Sequence, residues 1–449
     1  MQTVVPFRAW RYDTQKAGDL GSLIAPPYDV VDPALQSRLY ARSLHNVIRI
    51  DLGMTTPSDS ACDNRYTRAA SQLADWKANG VVTRDQEPSV TFIEETFTGP
   101  DGRRSVRHGF LALIKLSEFG EGVVFPHERT LSGPKEDRFR LMEATRMSLS
   151  PVFLLYDLPG DEITKAWRSG PGKSQPHATL TDPDAHGEAT QTRLWPVSEQ
   201  PVLQVIEQAL AGGRFIIADG HHRYETALRY REHRREESAS TSTQPAAPDY
   251  ALAYFSNMAD PGLAIYGTHR LLSGLDEDAV SALRDLLSPT FTVDRLTDGE
   301  NADEAREAIT AYLAVHPRRA FGLWGRTLAG AYGFQVADER AVATSVPQGS
   351  EAYRNLDVSI LQSLVFERIL GISADDMASE KYVTYFKDTG DAFDRLASAE
   401  FQAGFFMNPT GLDQIRDVAF GGERMPQKAT FFYPKLPTGL VFYDLAGLW

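Results

Sequence analysis

The chemistry in this sequence concentrates where residues Arg214 to Leu228 read RFIIADGHHRYETAL. The apolar run Phe215 to Ala218 leads into Asp219-Gly220, and His221, His222 and Arg223 follow at once. An apolar run of this kind reads as a strand, and the spacing of Tyr224, Ala227 and Leu228 predicts a helix after it. The two histidines and the arginine then occupy the first helical turn, beside unpaired backbone N–H groups and the positive end of the helix dipole. That arrangement suits a phosphate, and Gly220, with no Cβ, lets the backbone approach one closely. The same residues also fit a plain N-cap, with Asp219 accepting from the helix and the histidines solvated. A histidine metal site is the third reading, although no HExxH pattern occurs.

A second polar group lies in FPHERTLSGPKEDRFRLMEATRMSLSPVFLLY, Phe125 to Tyr156. His127, Glu128, Arg129, Thr130, Lys135, Asp137 and Arg138 fall within a short span before a predicted helix and an apolar strand, with Gly133-Pro134 marking a turn. A carboxylate base beside cations that neutralise phosphate oxygens is what phosphoryl transfer requires. A surface loop laced with ion pairs has the same composition. GPGKS, Gly170 to Ser174, is not a phosphate loop, because Trp167 stands where that pattern needs its first glycine. No GxGxxG follows a strand, so a Rossmann dinucleotide site has no support. IAPPYDVVD (Ile24 to Asp32) carries Tyr28 and Asp29, and GERMPQKATFFYPKLPTGL (Gly422 to Leu440) carries Gln427, Lys428 and Lys435. By chemistry alone either could be a packed turn.

These side chains need elements to hold them. NVIRIDL (Asn46 to Leu52), SVTFIEETF (Ser89 to Phe97) and GFLALIKL (Gly109 to Leu116) read as strands from their β-branched and aromatic content. YTRAASQLADWKANG reads as a helix on Ala69, Leu73 and Trp76, closed at Gly80. DVSILQSLVFERILGI (Asp357 to Ile372) carries a helical stripe closed by Gly371, and QAGFFMNP and TGLVFYDL read as further strands. The mixture argues for an α/β or α+β fold. Polar stretches at 159–192 and 236–248 are expected as a long excursion and a surface loop. No internal repeat occurs.

The chain has 449 residues, enough for two or three domains, with 42% apolar and 24% charged residues, the balance of a folded protein. Its net charge of -14 opposes binding to a nucleic-acid backbone. The basic run RYREHRREE, Arg229 to Glu237, interleaves its own acids and reads as helix-face pairing. Cys62 is the single cysteine, so no disulfide or Cys-based metal site can form within one chain. With no leader-like start and no apolar run near the roughly 20 residues needed to span a bilayer, a cytoplasmic location without membrane association is expected.

APPYDV, PHERTLSGPKEDR…SPVFLLY, ADGHHRYETAL and MPQKATFFYPKLPTGL, in this order and over essentially the whole chain, resemble the signature blocks of the bacterial domain-of-unknown-function 1015 family. That family is in turn similar, more distantly, to the ParB/sulfiredoxin superfamily and to the free serine kinases of archaea, whose phosphate-binding element DGHHR resembles. The resemblance implies a ParB/sulfiredoxin-like nucleotide-binding core at 121–300 with polar insertions at 159–192 and 236–248, flanked by α/β regions at 1–120 and 301–449. It implies a kinase acting on a small hydroxylated metabolite, free serine first, with ATP or ADP as donor and Mg2+ as cofactor. Carried over by residue, Gly220, His221, His222 and Arg223 bind nucleotide phosphates, and Asp219 is a catalytic carboxylate that orients or ligates magnesium. Glu128 is the base for the acceptor hydroxyl, and His127, Thr130, Lys135, Arg138 and Lys428 bind substrate or product phosphate. A phosphatase or other phosphoryl-transfer enzyme using the same parts, and a ParB-like nucleotide switch, are the alternatives; the partners expected are a nucleotide and a small-molecule substrate.

Overall fold

A computed structural model describes residues 2–129, 133–183, 189–238 and 245–447. Contacts divide the chain into two compact units, one made of Met1–Pro126, Thr130–Ala264 and Pro434–Trp449, the other of His127–Arg129 and Ile265–Tyr433. The chain is mixed α/β, as its alternation of strand and helix patterns predicts.

The first unit is built on a mixed sheet of nine strands. Its order is Val124–Pro126, Phe215–Asp219, Val152–Tyr156, Tyr250–Asn257, Arg104–Lys115, Val90–Thr98, Ala189–Val197 and Ala178–Pro183, with Val4–Val5 joined to Arg104–Lys115. Val124–Pro126 runs parallel to Phe215–Asp219, with Phe215 opposite Val124 and Ile217 opposite Pro126. Val152–Tyr156 and Tyr250–Asn257 are parallel to each other and buried along their whole length. Strands buried on both faces read as unbroken apolar runs, which is why PVFLLY and ALAYFSN carry no alternation. Phe92, Phe110, Trp167, Phe215 and Phe255 form the core on one face.

The second unit holds a six-stranded antiparallel sheet in the order Phe291–Arg295, Tyr332–Val336, Ala320–Trp324, Ala403–Met407, His269–Leu272 and Val383–Phe386. Helices Ala302–Val315 and Thr389–Ala397 supply Ile309, Phe393 and Leu396 to a core shared with Leu271, Trp324 and Phe406.

Boundaries at 120 and 300 are not the ones the contacts draw. A cut at 120 would part Lys115 from its sheet partner Tyr250, and His269–Leu272 pairs with strands near 385 and 405. The last residues return to the first unit, where Tyr443 pairs with Ser148.

Three local readings are corrected. NVIRIDL holds the helix Ile48–Asp51 rather than a strand, started by the Asn46 side chain accepting from Ile48 N–H at 2.9 Å. Its β-branched residues are buried in a compact turn, where packing overrides propensity. The stretch 159–192 is not an excursion. It contains helix Glu162–Ser169, the edge strand Ala178–Pro183 and the start of its neighbour Ala189–Val197, and it buries Ile163, Trp167 and Leu180. In TGLVFYDL only Tyr443–Asp444 pairs as a strand. Helix Arg65–Ala78 buries Ala69, Leu73 and Trp76 as its spacing predicts. The stripe from Asp357 forms a helix whose stretch Ile360–Ile369 is widened into π-type turns, with Val358, Leu361, Leu364 and Val365 inside. Among the described residues, no helix is long and apolar enough to cross a membrane.

Candidate functional site

In the first unit the strand Phe215–Asp219 meets the helix His221–Ser238 at Gly220. Gly220 has φ +87°, a conformation that costs an L side chain about 1 kcal/mol or more, and its carbonyl accepts the first helical bond from Tyr224 at 3.0 Å. The strand slips register between Ile217 and Asp219, which breaks the ladder where the acid projects.

Asp219 is the centre of a charge cluster. Lys435 Nζ lies 2.5 Å from its Oδ1, and Arg223 Nη2 lies 2.5 Å from its Oδ2. Arg223 also donates through Nη1 to the Pro151 carbonyl. Burial alone would raise the Asp219 pKa, but the charges of Lys435 and then Arg223 outweigh it and hold the carboxyl well below the usual carboxylate range. Burial would lower Lys435, and Asp219 and then Asp29 overcome it and raise the ammonium above its ordinary value. His221 adds positive potential at Asp219. His221 and His222 are half-buried on the first turn of an 18-residue helix that carries no acid there.

The side chains behind this cluster come from blocks far apart in sequence. Ala25 and Thr438 exchange backbone hydrogen bonds at 3.2 and 2.8 Å, so the APPYDV and PKLPTG segments lie side by side. The Arg138 guanidinium stacks 4.1 Å from the Tyr28 ring centre and pairs with Asp51 at 3.0 Å and Asp137 at 2.5 Å. Burial pushes the Tyr28 hydroxyl up to about 12, against Arg223 and Arg138. A cavity of about 40 Å³, lined by Asp51, Arg138, Arg223 and Thr226 among others, has room for a water molecule and none for a nucleotide.

The expected site residues thus fall in different places. Asp219, Gly220, His221, His222 and Arg223 lie together at the turn from strand to helix. Gly220 has a further use there: a Cβ on it would stand 2.7 Å from Arg223 Nε, so the absent side chain makes room for the guanidinium that reaches Asp219. Arg138 is buried and bonded to two acids. Lys135 pairs with Glu225 at 2.6 Å in the seam between helices Gly133–Thr145 and His221–Ser238, with Glu136–Arg229 at 2.7 Å and Glu143–His233 at 3.0 Å alongside. Thr130 lies outside the described residues.

His127, Glu128 and Lys428 belong to the second unit. His127 is fully buried, its Nε2 2.8 Å from Thr430 Oγ1, and its carbonyl accepts from Met425 N–H at 2.7 Å. Glu128 Oε1 accepts from the backbone N–H of Lys428 at 2.7 Å. Lys428 therefore holds Glu128 through its peptide, while its side chain is exposed.

Two residues were given no role by the sequence reading. Asp51 hides at the end of a segment that reads as a strand. Lys435 sits in a run where Lys428 looked the better candidate, and the signal available was its position between Pro434 and Pro437, in a stretch too rigid to be a solvated lysine's usual setting.

Asp219 does not fit a magnesium ligand, because both its oxygens already face cations. Among the described residues no group of three or more His, Cys, Asp or Glu side chains is placed to hold a metal ion.

A family model described as a protein of unknown function, DUF1015, matches residues 4–359. The chain belongs to the DUF1015 family. No curated protein matches it by sequence. Solved structures similar to this DUF1015 member include a free serine kinase mutant in complex with AMP, at 14% identity over 70% of this chain and 85% of that one, TM-score 0.34. A conserved hypothetical protein from Pyrococcus furiosus is similar at 13% over 70% and 89%, TM-score 0.33. C-terminally truncated SbnI from Staphylococcus aureus is similar at 10% over 75% and 88%, TM-score 0.34. Likeness at this level assigns neither residues nor activity to the chain.

Proposed function

We propose that this protein is a nucleotide-dependent kinase that transfers a phosphoryl group from ATP or ADP to a small hydroxylated metabolite, with free serine, giving O-phosphoserine, the first acceptor to test. The observation that carries the reading is the convergence of Arg223 and Lys435 on Asp219 at the N-terminus of the helix His221–Ser238. Backbone N–H groups, two histidines and two cations meet there, and such a set binds phosphate oxygens. We read the core as ParB/sulfiredoxin-like, from the order of its sequence blocks.

In this reading His221, His222 and the helix N-terminus bind the nucleotide phosphates. Asp219 acts as an orienting carboxylate, fixing Arg223 and Lys435 so that their N–H groups need no rearrangement when phosphate arrives. No step is assigned to a metal held by Asp219. Glu128 accepts the proton of the acceptor hydroxyl, and the hydrogen bond from Lys428 N–H fixes the orientation of its carboxylate. A loose phosphoryl-transfer transition state asks this group mainly to position the nucleophile, so an ordinary carboxylate suffices. The oxygen of the hydroxyl bonds to the phosphorus as the bond to the nucleotide's leaving oxygen breaks, and the proton goes to Glu128.

The test is incubation of purified protein with ATP or ADP, magnesium and serine, followed by phosphorus NMR and mass spectrometry. Phosphoserine formed in step with loss of the donor's terminal phosphate supports the reading. No phosphoserine with either donor rejects serine as acceptor, and no transfer to any of a panel of small alcohols rejects the kinase.

A further inference from the structure

The second unit contains a buried cation that the sequence reading passed over. Arg270 lies in the strand His269–Leu272, hydrogen-bonded between Val383–Phe386 and Ala403–Met407, and is only 4% exposed. Its Nη1 donates to the Thr268 carbonyl and to Met407 Sδ, and its Nη2 donates to the Lys428 carbonyl at 3.2 Å. The guanidinium carbon stands 5.5 Å from the centre of the Tyr385 ring. Carbonyls, a thioether and a ring are all neutral partners. Among the described residues no carboxylate lies within ion-pair distance of Arg270.

Burying a charge without a counter-ion is strongly unfavourable, and buried charges are ordinarily paired. The other large buried arginines show the contrast: Arg107 is paired with Glu95 at 2.7 Å, and Arg138 with Asp51 at 3.0 Å. The shortage of negative charge is visible in Arg270 itself, whose pKa burial pulls down to about 10 against the smaller opposing effects of Tyr385 and Glu128.

Lys428 ties this arginine to Glu128. Its N–H donates to Glu128 Oε1 at 2.7 Å, and its carbonyl accepts from Arg270 Nη2. It does so at φ +57°, a left-handed conformation that is unfavourable for a residue with a Cβ and that accumulates at binding sites. One strained residue therefore holds a carboxylate by its N–H and a guanidinium by its carbonyl.

We propose that Arg270 is the binding residue for a carboxylate on the acceptor, so that the substrate class is small hydroxy acids and hydroxy amino acids, whose hydroxyl then faces Glu128. Nε–H and Nη2–H lie along one edge of a guanidinium and match the two oxygens of a planar carboxylate. The inference rests on the kinase reading for the role of Glu128, but not for the binding of the carboxylate.

The experiment uses the full chain and measures binding by calorimetry, with L-serine, glycolate, ethanolamine and inorganic phosphate as separate probes, on the wild type and on Arg270→Met and Arg270→Lys. The wild type should bind serine and glycolate and bind ethanolamine at least 10-fold more weakly. Arg270→Met should lose on the order of 10- to 100-fold of the carboxylate affinity, the range set by a hydrogen bond to a charged group. Arg270→Lys keeps the charge without the fork and should fall between; it serves alone should the Met variant not fold. ADP binding should be the same in all three. Equal binding of serine and ethanolamine by the wild type, binding of inorganic phosphate in preference to the carboxylates, or an undiminished carboxylate preference in the variants overturns the assignment. Carboxylate binding lost in the variants but accompanied by no turnover of any acceptor in the wild type retains the Arg270 site and rejects the kinase instead.

Discussion

Asp219 and Lys435, 216 positions apart in the chain, meet at 2.5 Å. The side chains are 18% and 20% exposed, so the pair is largely shielded from water without being sealed from it. The pair also accounts for the last block of the chain: PKLPTG lies against APPYDV and delivers one ammonium group to the strand-to-helix turn.

Removing that ammonium leaves Asp219 still paired with Arg223. Lys435→Met is expected to destabilise the protein by about 2 kcal/mol, below the 3–5 kcal/mol of a fully buried broken pair because the site is partly solvated. It should also abolish the stabilisation by nucleotide. Urea melts with and without ADP check both, and an unchanged nucleotide shift would detach Lys435 from the site.

Gly220→Ala should cost more than φ strain alone. Gly212 has φ +65° with open space where a Cβ would go, whereas a Cβ on Gly220, at φ +87°, meets Arg223 Nε at 2.7 Å. Gly212→Ala is expected to lose about 1 kcal/mol, and Gly220→Ala about 2 kcal/mol together with nucleotide binding. Equal losses with nucleotide binding intact would mean that Arg223 moves aside freely.

Glu128→Gln should lower turnover by roughly 100- to 10,000-fold, the usual contribution of a general base, while nucleotide binding is retained. The glutamine can still accept from Lys428 N–H, so the local fold is kept. Single-turnover assays with equilibrium binding separate the two effects, and activity near wild type would exclude Glu128 as the base.

Asp357, in the second unit, gives a pH signature independent of function. Burial pushes its pKa up to about 7, against the hydrogen bond from Arg319 N–H at 2.6 Å. The folded pKa lies above the unfolded value of about 3.9, so the folded state binds the extra proton between the two. Stability should therefore fall as pH rises from about 4 to about 7, by a few kcal/mol, and flatten above. Asp219 has the opposite sign. Its depressed pKa makes a contribution that is present above about 4 and lost as the pH falls further toward its folded value. In a series of melts over pH, Asp357→Asn should flatten the neutral limb and Asp219→Asn the acid limb; no change in either slope would contradict these environments.

The sequence by itself determined most of the first unit's local structure. Buried strands such as Val152–Tyr156 declare themselves by unbroken apolar runs, and helix Arg65–Ala78 by the spacing of Ala69, Leu73 and Trp76, because these are short-range consequences of pleat and pitch. The turn at Asp219-Gly220 is legible for the same reason: only glycine adopts that φ cheaply, and the helix that follows exposes its N–H groups whatever the rest of the chain does.

Tertiary structure alone decided which charges serve the turn. Lys435 and Lys428 are seven residues apart in one block and chemically alike, yet one ammonium reaches Asp219 and the other lysine contributes its backbone to Glu128 and Arg270. Arg270 reads as an interruption in an apolar strand, and its lack of a counter-ion among the described residues is a statement about every side chain around it. Ion pairing depends on which segments a sheet brings together, and the pairing of Ala25 with Thr438 closes a loop of most of the chain. No local pattern records a contact at that separation.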